Sequence, residues 1–150
     1  MKTKSCFFIG HRDTPDEIYD ALRSAIERHI SEYGVSDFIV GGYGKFDRLA
    51  ARAVIDAKTT HPKISLSLLL PYHPAMRPIE KPPGFDELLY PASMEKTPKR
   101  IAIVKANQCA VRMSDYLIAY VWHSASNAHN LLEYAQSRER RGLIRITLLK

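Results

Sequence analysis

The sequence predicts an α/β protein: a Rossmann-like three-layer sandwich around a mainly parallel sheet of about five strands. Short apolar runs alternate along the chain with longer segments of helical periodicity, which is typical of parallel sheets covered by helices. The third run, Ile64 to Leu70, is almost wholly apolar apart from its serines, as a central parallel strand should be. At 150 residues the chain is long enough to bury a core, and we expect one domain spanning 1–150.

The first predicted helix, at about 15–33, has the best-marked boundaries. Thr14 is its predicted N-cap, with Pro15 in the first turn and Glu17 completing a capping box. Gly34 follows the last periodic residue and is expected to end the helix.

The other elements follow from the same alternation. Helices are predicted at about 46–59, from 97 to about 113, and from 124 to the glycine at 142. Strands are predicted at 5–10, 37–41, 64–70, 116–122 and 143–149.

The segment 71–98 interrupts this alternation. It holds seven of the nine prolines, and only one helical turn is predicted in it, near 85–90. Long stretches of this kind are often lids or binding loops. A wrap over the protein surface is the alternative, and both interpretations remain open.

Composition indicates an ordinary globular protein, since 45% of the residues are hydrophobic and 25% are charged. No apolar run approaches the roughly 20 residues of a membrane span, and the N-terminus leads into a strand without a signal-peptide pattern. We therefore expect a cytoplasmic protein with no membrane partner. Cys6 and Cys109 are expected to be reduced, partly buried thiols.

Positive charge is concentrated in the C-terminal third. The net charge is +6, and residues 96–150 carry ten Lys and Arg against three Asp and Glu. Such a segment favours nucleic acid or anionic ligands. Much of the excess lies at 138–141, where cations also suit the C-terminus of a helix, so a solvated helix face is the alternative.

Three strand ends carry the candidate site. Ligands of parallel sheets bind beyond the carboxyl ends of the strands. Glycine lets a ligand approach the backbone there, and exposed N–H groups attract anions. The predicted ligand-binding residues are Gly10, His11, Arg12, Gly41, Gly42, Gly44, Lys45, Asp47, Ser124, Ser126 and Asn127.

Several of these residues have two interpretations. Arg12 could bind a phosphate bidentately or pair with a neighbouring aspartate. Asp47 could stabilise the helix dipole or accept hydrogen bonds from ribose. One residue of Ser124, Ser126 and Asn127 is expected to cap the last helix. Trp122 could stack on a base or belong to the core.

No complete catalytic constellation is visible. His11 and Asp47 are candidates for acid–base chemistry, but neither has a visible partner. The chain lacks the G-x-G-x-x-G fingerprint, the P-loop, the G-x-S-x-G elbow and metal-ligand spacings. We therefore predict no metal and no cofactor.

The strand ends also carry a family resemblance. Two segments resemble the SLOG superfamily: Phe8-Ile9-Gly10-His11-Arg12 and the run from Gly41 to Ala50. The resemblance continues more loosely through 105–107, 114–120 and 133–135. This Rossmann-like group includes the DprA/Smf and LOG proteins, and the similarity is closest to small bacterial members of unknown function such as the YpsA-like proteins. The resemblance implies binding of nucleotides or nucleotide-derived ligands. The P-G-G-x-G-T-x-x-E motif of the LOG-type hydrolases is missing from this sequence.

Together, the residues and the resemblance predict a module that binds a nucleotide or a nucleotide-derived phosphorylated small molecule, as a sensor or regulator. An N-glycosidic hydrolase or transferase acting on nucleotides is one alternative, and a nucleic-acid-binding protein is another. A homo-oligomer or a partner protein also remains open.

Overall fold

The computed structural model of the protein describes residues 3–124 and 126–150. Its helices are α1 Tyr19–Ser31, α2 Lys45–Ala57, α3 Ala102–Met113 and α4 Asn127–Arg140. Its strands are β1 Lys4–Gly10, β2 Val35–Val40, β3 Ser65–Leu69, β4 Glu87–Leu89, β5 Tyr116–Tyr120 and β6 Arg145–Leu148. Short 3-10 turns occupy Asp16–Ile18, Ala92–Met94 and Lys99–Ile101.

All six strands described belong to one parallel sheet in the order β4-β3-β2-β1-β5-β6. The chain runs outward from β1 through β2 to β3 and β4, and α3 then carries it back to β5 on the other side of β1. The topological switch point therefore lies between β1 and β5, where ligands of such sheets bind.

The alternation of side chains along β1 builds a core on each face of the sheet. Cys6 and Phe8 belong to the cluster that packs with α1 and α2, whereas Phe7 and Ile9 belong to the cluster that packs with α3 and α4. The predicted three-layer Rossmann-like fold is confirmed. None of the helices in the described ranges is long and apolar enough to cross a bilayer.

Strand β4 lies within 85–90, where the sequence predicts a helical turn, so that prediction is wrong. Glu87–Leu89 pairs with the outer edge of β3, and the Asp86 carboxylate accepts the Leu66 N–H at 2.8 Å. The backbone N–H and C=O groups on this side of β3 need hydrogen-bond partners. Because β4 has only three residues, its sequence is too short to show the alternation of apolar and polar side chains that predicts a strand.

The predicted capping box at Thr14 is also wrong. The buried Thr14 hydroxyl donates instead to the His11 carbonyl at 2.7 Å. Short polar side chains often hydrogen bond to nearby backbone groups in this way, and here the bond closes the turn that follows β1. A 3-10 turn then leads into α1, which begins at Tyr19. The predicted helix ends at Gly34 and Gly142 are confirmed, and both glycines have positive φ.

Candidate functional site

A cleft of about 430 Å³ opens at the C-terminal ends of β1 and β2. Residues of β1 form its floor, α3 forms one wall, and the first turns of α4 form the other. The cleft therefore lies beside the switch point of the sheet. None of the lining residues comes from the segment 71–98, which instead adds the edge strand β4.

The cleft brings together residues from all three predicted strand ends. Those that line it are Gly10, His11, Arg12, Gly41, Asp47, Ser126 and Asn127. The lining does not include Gly42, Gly44, Lys45 or Ser124.

Two of the glycines are required by packing between β1 and α2. A Cβ atom on Gly10 would lie 2.6 Å from the Cβ of Phe46 and closer still to its ring. Gly44 has a φ of 117°, and a Cβ there would lie 2.8 Å from the Arg12 Cα. These positions bring the start of α2 against the end of β1, so close packing accounts for both residues.

The N-terminus of α2 is occupied by the protein itself. The Lys45 N–H donates to the Arg12 carbonyl at 3.1 Å, and the Phe46 N–H donates to the His11 carbonyl at 3.3 Å. The Lys45 ammonium pairs with Asp16 at 2.9 Å. Because these groups already have partners, the start of α2 offers an anion little.

Asp47 organises the glycine loop and faces the cleft. One of its carboxylate oxygens accepts the Tyr43 N–H at 3.0 Å. Burial raises the pKa of Asp47 to about 6, although the Tyr43 hydrogen bond and the charge of Arg48 act in the opposite direction. The group can therefore change between hydrogen-bond donor and acceptor near neutral pH.

His11 holds the end of β1 to the segment after β5. Its Nε2 accepts the N–H groups of Trp122 at 3.0 Å and His123 at 3.2 Å. Both bonds require a neutral ring with the proton on Nδ1, and burial, followed by the nearby His123, lowers the pKa of His11. Because Nε2 is engaged, this geometry assigns the side chain a positioning role.

Trp122 stands outside the core. Strand β5 ends at Tyr120, two residues earlier than predicted, so Trp122 lies beyond the sheet with 44% of its surface exposed. Its ring contacts those of Tyr120 and His11, with centroid distances of 4.9 and 4.0 Å. Of the two interpretations of Trp122, the core position is therefore wrong.

An anion-attracting end of the cleft is formed by Arg12 and the first turn of α4. Among residues 3–124 and 126–150, no carboxylate lies within 4.0 Å of the Arg12 guanidinium. Ser126 is the N-cap of α4, as expected for this strand end, and its hydroxyl accepts the His129 N–H at 3.0 Å. The amides of the first turn lie outside the helical hydrogen-bond ladder.

Sequence reasoning missed part of the lining. Asn107 and Gln108 on α3 and Asn130 on α4 all face the cleft. Asn107 and Gln108 stand in the sequence between Ala106 and Cys109, which are buried in α3. Two amide residues at this place on a helix otherwise rich in apolar residues were the signal from which the sequence could have predicted this part of the lining.

Comparison with known proteins gives a likeness of fold. No protein-family model matches the chain, and no curated protein matches it in sequence. A solved structure of DNA processing protein A from Helicobacter pylori, reported for its single-stranded DNA binding mode, superposes with a TM-score of 0.64 at 14% identity. The match covers 97% of this chain and 64% of that one, so this chain spans just under two thirds of its neighbour. At this identity the likeness establishes a shared Rossmann-like fold.

Proposed function

We propose that the cleft binds a nucleotide or a nucleotide-derived phosphorylated ligand, and that the protein acts as a sensor or regulatory module. The observation that carries the proposal is the meeting of Arg12, the first turn of α4 and neutral amide side chains in one cleft. Its volume of about 430 Å³ lies in the range of small-molecule sites.

The anionic part of such a ligand fits the Arg12 end. A guanidinium binds phosphate oxygens in a bidentate manner, and the N-terminus of a helix of 14 residues adds free N–H groups and a favourable dipole. Asp47, which also lines the cleft, can hydrogen bond to ribose hydroxyls.

Isothermal titration with AMP, ADP-ribose and NAD tests the proposal. Since a hydrogen bond to a charged group contributes about 1.5–3 kcal/mol, Arg12→Ala should weaken binding roughly tenfold to a hundredfold. Arg141→Ala, an exposed arginine beyond the end of α4, is the matched control and should leave the affinity unchanged. The proposal is wrong if the folded wild-type protein binds none of the three compounds.

Single-stranded nucleic acid is the second candidate, and the structural comparison favours it. The neighbour from Helicobacter pylori was reported for single-stranded DNA binding. In this chain Tyr43 lines the cleft, and Trp122 contacts the ring of His11, which also lines it. Both aromatic side chains are exposed, so bases could stack on them, and the net charge is +6.

Fluorescence anisotropy with a labelled single strand distinguishes the two candidates. Phosphate-dominated binding should weaken steeply with salt, and Trp122→Ala should reduce it. Loss of the bound strand when AMP is added would place both ligands in the same cleft. No binding at low salt would eliminate the second candidate.

A further inference from the structure

Three amide side chains form a distinct part of the cleft, which we name the amide wall: Asn107 and Gln108 of α3 and Asn130 of α4. In the ranges that the structure describes, these side chains make no hydrogen bond to another protein group. Each amide offers two donor hydrogens and an acceptor oxygen. The wall therefore presents unused hydrogen-bonding capacity to whatever occupies the cleft.

The amide wall lies about one helical turn further along α3 and α4 than the anion-attracting end, with Asn107 and Gln108 half-buried and Asn130 exposed. Helices that follow parallel strands start near the carboxyl edge of the sheet and run back along it, so later residues lie further from the mouth. Asn107 follows Ile103 by four residues, and Asn130 follows Ser126 by four, which is about 6 Å along each helix at 1.5 Å per residue. Arg12 and the start of α4 are at the mouth, one helical turn away.

The chemistry of the wall suits an uncharged, planar, polar group. Among the described residues, no Lys, Arg, Asp or Glu of α3 or α4 lines the cleft, and the lining residues next to the wall are Ile103, Val104 and Leu131. Val104 is 47% exposed, so apolar surface there is available to the face of a ring. Amide side chains pair with the donor and acceptor pattern of base edges, as Asn and Gln do with adenine.

We infer that the amide wall reads the base of the bound nucleotide, with the phosphate turned toward Arg12 and the first turn of α4. The inference rests on the proposed function and adds the part of the ligand that confers specificity. It assigns Asn107 and Asn130 to base recognition, and it assigns Arg12 to phosphate binding whatever the base.

Titration with two probes that differ only in the base tests this division. Wild-type protein should bind AMP, or another of the four common nucleoside monophosphates, at least tenfold more tightly than ribose 5-phosphate. Asn107→Leu, of similar size and without hydrogen-bonding groups, should remove most of this preference and leave the affinity for ribose 5-phosphate unchanged. Arg12→Ala should weaken the binding of both probes.

Asn130→Leu provides the same test at an exposed position, where folding is not at risk, and thermal unfolding checks each variant. A short single-stranded DNA, compared with an abasic strand of equal length, shows whether the base can also come from a strand. Equal wild-type affinity for the nucleotides and ribose 5-phosphate, or equal weakening of both by the two leucine variants, would overturn the inference alone. Binding of neither probe and neither strand would overturn the proposed function as well.

Discussion

Replacing Gly10 with alanine should separate α2 from the end of β1. The added Cβ would lie 2.6 Å from the Cβ of Phe46, whereas carbon atoms in contact are about 3.5–4.0 Å apart. Phe46 is 1% exposed and packs in the core beside Tyr120, so its ring cannot swing away. Either α2 or β1 must therefore move by at least about 1 Å.

Overpacking of a tight core typically costs 1–3 kcal/mol, and this contact involves a side chain packed on all sides, so we expect a loss of about 3 kcal/mol. For a domain of this size that corresponds to a fall in Tm of roughly 6–12 °C. Urea unfolding followed by circular dichroism measures the free energy. Gly42→Ala is the matched control, because its Cβ would meet only Leu68, at an ordinary 3.6 Å.

A double-mutant cycle identifies the cause. If the clash with Phe46 is responsible, Gly10→Ala should cost much less in a Phe46→Ala background than in the wild type. Unchanged unfolding of Gly10→Ala, or an equal loss in Gly42→Ala, would refute the packing argument.

Three further predictions concern single polar side chains. Burial raises the pKa of Asp47 from 3.8 to about 6, so its ionisation destabilises the fold as the pH rises through that window. Asp47→Asn should remove this pH dependence in urea unfolding, and an unchanged profile would contradict it. Burial lowers the pKa of His11 below 6.5, so the stability that neutral His11 contributes is complete above that pH and is lost as the pH falls through the lowered pKa. At neutral pH His11→Ala should cost about 1–3 kcal/mol, and His11→Gln, which can still accept, should cost less; equal losses would exclude the acceptor role. The Lys58 ammonium donates to the Gly84 carbonyl at 2.9 Å and pairs with Asp86, whose pKa it lowers. Lys58→Met removes both contacts, so limited proteolysis should cut 71–98 sooner, with a stability loss below about 1 kcal/mol; an unchanged cleavage rate would show that Lys58 does not anchor the segment.

The fold was predictable because its signals are local and repeated. Apolar runs of strand length and glycines at helix ends are visible without tertiary information, and they located every strand but β4. That strand escaped because its three residues carry no period and are fixed only by the unpaired edge of β3. Thr14 was misassigned for a similar reason: a threonine before proline suits a helix cap, and only the nearby His11 carbonyl decides otherwise.

The strand-end residues of the candidate site could be predicted from the sequence, whereas the amide wall could not. Glycines and polar or charged residues directly after a strand indicate a ligand site by their position alone, and on this ground Arg12 and Asp47 are predicted. The partners of Lys45 and His11 come from other strand ends, so local sequence could not show that these groups are already engaged. Asn107 and Asn130 are ordinary residues for a solvent-facing helix surface, and only the packing of α3 beside α4 brings them into one cleft.

The proline-rich segment 71–98 also covers an edge of the sheet, because its strand β4 pairs with β3. Without this segment, Ser65–Leu69 would be an uncovered edge strand, and a strand of a second chain could pair with its backbone. Instead the border passes to Glu87–Leu89, a strip too short to template growth and followed closely by Pro91, which has no N–H to donate. Loss of β4 should therefore favour association of two chains through the uncovered edge of β3.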